Sequence, residues 1–393
     1  MSAGAAPRGD AAVNQTGTVP TEYCQLPTAA PPLNSGQAGF SEYAWQLFVA
    51  LNWPVTAGQR GVPDCSRPFA APGSTVWESF KTTQQLFLPG AKDPGPWDSG
   101  NNQVKYLIFD SKADSSLPLS DSIRQAVGGW LIDQHLNPTY YEIAVNETSY
   151  NYVLNNRYYN ADVLNGASTV NFPYGSLEIK ASWRIMQAGD DQSRYHTIKA
   201  NVMVFDNQGN PTGQYKPAVV GLVGLHIVYK PAGFSQWTWA TFEQVDNVTG
   251  GSAGVKPSYF NPDCSGAYCT PNVSPLKSGQ PFTSANQITR ITPIRQETVN
   301  VNTKWQSLTA GTPFQYYELI SPQWPADPDN PGNPQGTPTP GTVANVTMES
   351  YIQPISSCMD CHSTARVPNN NIKTNYSFIF LFAQEPSEGS DKP

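Results

Sequence analysis

Charge is scarce in this chain. Asp, Glu, Lys and Arg make up 13% of 393 residues, about half the usual globular share. The balance is acidic, with a net charge of −7, so there is no basic footprint for nucleic acid or anionic lipid. Long apolar runs are missing too. The longest, Ala218 to Tyr229, is broken by His226 and too short to cross a bilayer, so no membrane span is expected. Residues 1–20 lack the apolar core of a secretory signal. Histidine (4), methionine (5) and cysteine (6) are few, whereas proline (36) and tyrosine (19) are plentiful. That is a polar, loop-rich, β-leaning composition, expected of a protein that works outside the cytoplasm.

Against that scarcity, two of the six cysteines and one of the four histidines fall in one pentapeptide, Cys358-Met359-Asp360-Cys361-His362. Cys-x-x-Cys-His is the attachment sequence of c-type haem. Each thiol can form a thioether to one porphyrin vinyl group, and the adjacent histidine can then ligate the iron. One covalent haem c, bound through Cys358 and Cys361 with His362 as proximal ligand, is the expectation. Two rivals use the same residues. Cys264-x4-Cys269 with Cys358-x2-Cys361 would make a four-thiolate zinc site, and a Cys-x-x-Cys redox pair would need a strand-to-helix setting that the Pro-rich approach does not suggest. Haem attachment occurs beyond the cytoplasmic membrane, so a periplasmic or secreted protein whose signal has been removed is expected. In that setting the other four cysteines read as two disulfides, with 24–65 and 264–269 as the favoured pairing.

The fold expected is α+β and mostly β: an antiparallel sheet, as a sandwich or partly closed barrel, with a few helices and a C-terminal haem-attachment segment docked on it. Residues 1–39 read as disordered or extended, and 40–320 as a β-rich body. Helices are expected near 41–53, capped by Ser41 with Phe40, Ala44, Leu47, Phe48 and Leu51 on one face, and near 120–134. Strands are expected at Tyr140–Val145, Leu177–Met186, Tyr195–Phe205, Ala218–Tyr229 and Gln236–Gln244, where β-branched and aromatic residues alternate with turn clusters. Gly221 to Val228 is apolar on both faces and should be a central strand. Residues 321–341 carry seven prolines and read as an extended strap. The attachment segment, 342–393, should contain a helix at Thr342–Gln353 and a strand at Tyr376–Ala383.

Only 31 residues follow His362, none of them Met or His, so a second axial ligand must come from upstream. The candidates are His135, His196, His226, Met186, Met203 and Met348, with His226 and Met348 in front; an open distal side is the alternative. His226 sits in the most apolar strand, where a polar ring needs a reason, although a core histidine bonded to a carbonyl is the plainer explanation. Met359 lies inside the attachment loop and is unsuited. Arg366 could pair with a haem propionate or be a solvated charge. In Trp237–Asn247, strand alternation puts Glu243 on one face with Trp237 and Trp239, making it a weak candidate general acid beside the haem.

The stretches AWQLFVALNWP (44–54), VWESFK (76–81), VGLHIVYK (223–230), WTWATFEQVDN (237–247) and TMESYIQPISSCMDCHSTA (347–365) together resemble a poorly characterised family of exported bacterial monohaem cytochrome c family proteins. The resemblance implies export and a single covalent haem, and names no activity. Its members often carry His where this chain has Gln244, a position that therefore cannot ligate here. Outer-sphere electron transfer with a redox partner protein is the first functional expectation. A haem enzyme acting on peroxide or a small organic substrate, or a haem-based sensor, are the alternatives.

Overall fold

A computed structural model describes residues 17–100, 105–107, 131–206, 211–266, 269–273, 284–329, 338–368 and 370–387. The protein is α+β and mostly β, built on a nine-stranded sheet that does not close into a barrel. The strands are β1 (Lys81–Thr82), β2 (Lys105–Leu107), β3 (Tyr140–Val145), β4 (Leu177–Ile185), β5 (Thr197–Phe205), β6 (Pro211–Tyr229), β7 (Thr238–Gln244), β8 (Tyr317–Pro325) and β9 (Pro338–Thr339). The path runs β1-β3-β4-β6-β7-β8-β9, with β5 added on β6 and β2 on β5. All pairings are antiparallel except β2 with β5.

The longest strand, β6, is central. Its C-terminal half lies between β4 and β7, and Leu222, Val223, Leu225 and Ile227 are fully buried. One face of the sheet is covered by the helix α1 (Gly36–Leu51), whose Trp45 and Phe48 rings lie 5.1 and 4.3 Å from Phe242. Each such buried ring or aliphatic side chain is worth about 1.5–3 kcal/mol. Ser41 does not cap this helix as expected. It is inside it, buried, with its hydroxyl 3.0 Å from that of Thr298, since the helix begins five residues earlier, at Gly36. Thr298 belongs to α5 (Gln296–Leu308), a helix rich in Asn and β-branched residues that owes its existence to packing against α1 and β8. The short helices α2 (Thr83–Leu86), α3 (Glu147–Asn155) and α4 (Ala161–Asn165) start on side-chain caps from Thr82, Asn146 and Asn160.

Most of the helix expected near 120–134 lies outside the described residues; the four described ones, Leu131–Gln134, form a bridge and a turn. Three local expectations are corrected. Ser321–Pro325, read as the start of a strap, complete β8 inside the sheet. Residues 342–353 make successive turns rather than a helix, since their backbone is engaged by side chains of the sheet. Residues 376–383 carry a 3-10 turn at Ile379–Phe382 instead of a strand. Disulfides join Cys24 to Cys65 and Cys264 to Cys269. Among the described residues, no helix is long and apolar enough to cross a membrane.

Candidate functional site

The uncovered face of the sheet is polar at its centre. Alternation places Ser182, Lys180 and Glu178 of β4 beside Gly224, His226 and Val228 of β6 and Glu243, Thr241 and Trp239 of β7. The C-terminal segment is bound to this face by side chains. Asn345 donates to Thr241 Oγ1 and the Phe242 carbonyl, both at 2.9 Å, and the Val346 N–H donates to Glu243 Oε1 at 2.8 Å. Tyr141 donates its hydroxyl to the Thr347 carbonyl (2.8 Å), and the Thr347 and Ser182 hydroxyls are 2.7 Å apart. Gly224 permits this approach: a Cβ there would collide with Thr347 Oγ1 and Ser182 Oγ.

The Cys358–His362 pentapeptide forms one helical turn, α6, capped by Ser357. Gln323 of β8 holds both the cap and the turn, donating to Ser357 Oγ at 3.1 Å and accepting from the Met359 N–H at 2.8 Å. Positions i, i+3 and i+4 of a helical turn share a face, so Cys358, Cys361 and His362 are presented together. Neither cysteine is in a disulfide. Burial pushes the Cys358 thiol well above its ordinary value, an effect reinforced by Glu349.

His362 is oriented from behind. Its Nδ1 lies 2.7 Å from the Tyr376 carbonyl, which can only accept, so Nδ1 carries the proton and the lone pair is on Nε2. The carbonyl is aimed by two consecutive left-handed residues, Asn375 (φ 52°) and Tyr376 (φ 69°), a backbone state that a bulky side chain rarely adopts. The turn is held by Asn375 Oδ1, which accepts from Lys230 Nζ (2.9 Å) and the Phe172 N–H (3.1 Å), and by Tyr376, which donates to Gln236 at 2.8 Å. Trp239 and Phe378 meet the imidazole edge-on, with centroids 5.7 and 4.9 Å away.

Cys358, Cys361 and His362 line a cavity of about 490 Å3 between the sheet and the C-terminal segment, within the size range of ligand and cofactor pockets. Its remaining wall is largely apolar, and Ile355 at its edge is 82% exposed, an apolar side chain left for something else to cover. His226 and Met348 line the same cavity. His226 is buried, and its Nε2 has no hydrogen-bond partner, with Glu349 Oε2 3.6 Å away. The plainer expectation, a histidine bonded to a backbone carbonyl, is not what Nε2 does. Burial raises the Glu349 carboxyl, but His226 and the Asn345 N–H outweigh it and hold it below its ordinary value. Glu178 is the opposite case: burial dominates and lifts it to about 7 despite a hydrogen bond with Ser377.

The other sequence candidates lie elsewhere. Glu243 is not in the cavity wall; Arg290 donates to its Oε2 at 2.6 Å, so its carboxylate serves to join the 290 region and the Val346 loop to the sheet. Arg366 is exposed and donates to the Asn371 carbonyl at 3.2 Å. Gln244 is turned to Asp246. His196 pairs with Glu78, His135 lies 3.8 Å from Asp190, and Met186 and Met203 pack in apolar clusters. Cys264 and Cys269 are joined to each other, which removes the four-thiolate zinc site.

Glu178, Glu349 and the Tyr376 carbonyl escaped the sequence reading. Three charges inside the strand Leu177–Ile185, Glu178, Lys180 and Arg184, were the only signal for the first, and nothing local announces the other two. The residues at the cavity suit a haem: two thiols and an imidazole on one helical face, Nε2 set up as a donor, and an apolar wall. Comparison with family models, curated proteins and solved structures finds no match for this chain.

Proposed function

We propose that this is a monohaem c-type protein of the periplasm or cell exterior, related to the exported cytochrome c family that its motifs resemble, and that it transfers electrons to and from a redox partner protein. Cys358 and Cys361 would hold the group by thioethers and His362 Nε2 would ligate the iron, with His226, or alternatively Met348, supplying a second ligand. Bound haem c supplies a one-electron redox centre. The chain's own residues orient and protect it. The Tyr376 carbonyl fixes the His362 tautomer, a backing that raises ligand basicity. Gln323 and Ser357 anchor the helical turn, and the apolar wall excludes water. The observation that carries the proposal is the shared cavity: the attachment pentapeptide, a backed imidazole and a buried second imidazole line one apolar space.

The test is expression in cells competent for cytochrome maturation. One haem added to the chain mass, lost in the Cys358→Ala/Cys361→Ala variant, is expected. The ferric protein should be low-spin, and His226→Ala should convert it to high-spin. An unmodified chain from such cells would refute the proposal.

Glu178 favours a second reading, a haem enzyme acting on peroxide or a small organic substrate. A carboxyl that keeps its proton to about pH 7 beside the cavity is suited to general acid–base work. High-spin ferric iron in the parent protein, with rapid cyanide binding, would select that reading over electron transfer.

A further inference from the structure

A second cavity, of about 770 Å3, opens at the β1–β2–β5 end of the sheet and shares no residue with the first. Its charge runs against that of the chain. In a protein of net charge −7, the ionic groups among the described residues of this wall are Arg60, Lys105 and Lys199 against the single carboxylate of Glu78. The carboxylate is already satisfied: it accepts from the Thr75 N–H at 2.7 Å and faces His196 Nε2 at 2.6 Å. Burial alone would raise Glu78, but His196, Lys105 and the Thr75 N–H prevail and hold it at about 2.

An ionised carboxylate can only accept, so His196 Nε2 is the donor of that bond. The ring is fixed by stacking on Phe314 at 5.1 Å. His196 is part of the cavity wall. Lys105 is neutralised by Glu142, and Arg60 donates to the uncharged Ser79 and Gly100 carbonyls. Lys199 is exposed and makes no ion pair among the described residues. At the rim, Tyr106 and Tyr215 meet edge-to-face at 5.1 Å, 50% and 38% exposed. Exposed rings beside unpaired cations suit a ligand that is part aromatic and part anionic.

We propose that this cavity is a binding site for a small aromatic anion, a ring bearing a carboxylate or a phosphate. The anionic group is drawn to Lys199 and Arg60, and the ring lies against Tyr106 and Tyr215. The site needs no residue of the attachment cavity and is independent of haem.

Calorimetric titration of the full chain with benzoate and with phenyl phosphate tests it. Saturable binding of either probe is expected, accompanied by a shift of the His196 imidazole resonances. Lys199→Glu should weaken it by about tenfold or more, equal to about 1.4 kcal/mol, and Tyr215→Ala should weaken it too; both positions are exposed. His226→Ala, in the other cavity, should leave it unchanged. Benzoate alone would identify the carboxylate class, phenyl phosphate alone the phosphate class, and both the shared chemistry. The proposal is overturned if neither probe binds, or if binding is indifferent to Lys199→Glu and Tyr215→Ala.

Discussion

Glu178→Gln should make the protein more stable at neutral pH, although it alters a side chain that is only 6% exposed. The carboxyl lies on β4 opposite Val228, and its Oε1 has no hydrogen-bond partner. Burial lifts it from an ordinary value of 4.5 to about 7. The folded chain therefore holds a proton that the unfolded chain releases between these values. A raised acid group contributes its stability at low pH, fully below about 4.5, and loses it as pH climbs to about 7. At 1.36 kcal/mol for each tenfold change in proton affinity, the full loss is about 3 kcal/mol. Glutamine keeps the volume and cannot ionise. If its hydrogen bond to Ser377 is weaker by about 1 kcal/mol, the net gain at pH 8 is about 2 kcal/mol. Denaturant unfolding of parent and variant at pH 4 and pH 8 measures it, and other carboxyls cancel in the difference between the two proteins. The reasoning fails if the variant is no more stable than the parent at pH 8, or if their separation is the same at both pH values.

Gly224→Ala puts a methyl group against Thr347 Oγ1 and Ser182 Oγ. It should cost roughly 1–3 kcal/mol and raise amide exchange in residues 343–349. Arg290→Ala leaves Glu243 buried without its cation and should cost about 3–5 kcal/mol, whereas Arg290→Ala/Glu243→Gln should recover much of that in the same unfolding assay. The two disulfides close loops of very different length, with separations of 41 and 5 residues. Loop-closure entropy then gives about 4 kcal/mol for Cys24–Cys65 and about 2 kcal/mol for Cys264–Cys269, so Cys24→Ser/Cys65→Ser should lower the unfolding midpoint more than Cys264→Ser/Cys269→Ser.

Elements whose residues carry their own signal were legible before folding was considered. β3, β4, β5, β7 and the C-terminal half of β6 fall where alternation and β-branched residues placed them. The apolar run from Gly221 to Val228 is central because only a strand covered on both sides can bury both its faces. The disulfide pairing follows the spacing of the cysteines. In contrast, α5 has poor helix formers, and tertiary packing of Val301 and Trp305 decides it. Residues 342–353 looked helical by pattern, but Glu243, Asn345 and Tyr141 take their backbone groups and bend them into turns.

By itself the sequence determined the chemistry available at the C-terminal end: two thiols and an imidazole spaced to share one helical face, in a chain with few other groups of that kind. Such spacing is local and survives in any fold that lets the pentapeptide make one turn. Only the tertiary structure decided what surrounds it. His226 and Glu178 come from strands distant in the chain and Glu349 from a turn nine residues before Cys358, and the Tyr376 carbonyl reaches His362 through a left-handed turn at Asn375 and Tyr376. Contacts between such distant residues depend on strand register and on the docking of one segment over another, and no sequence spacing encodes them.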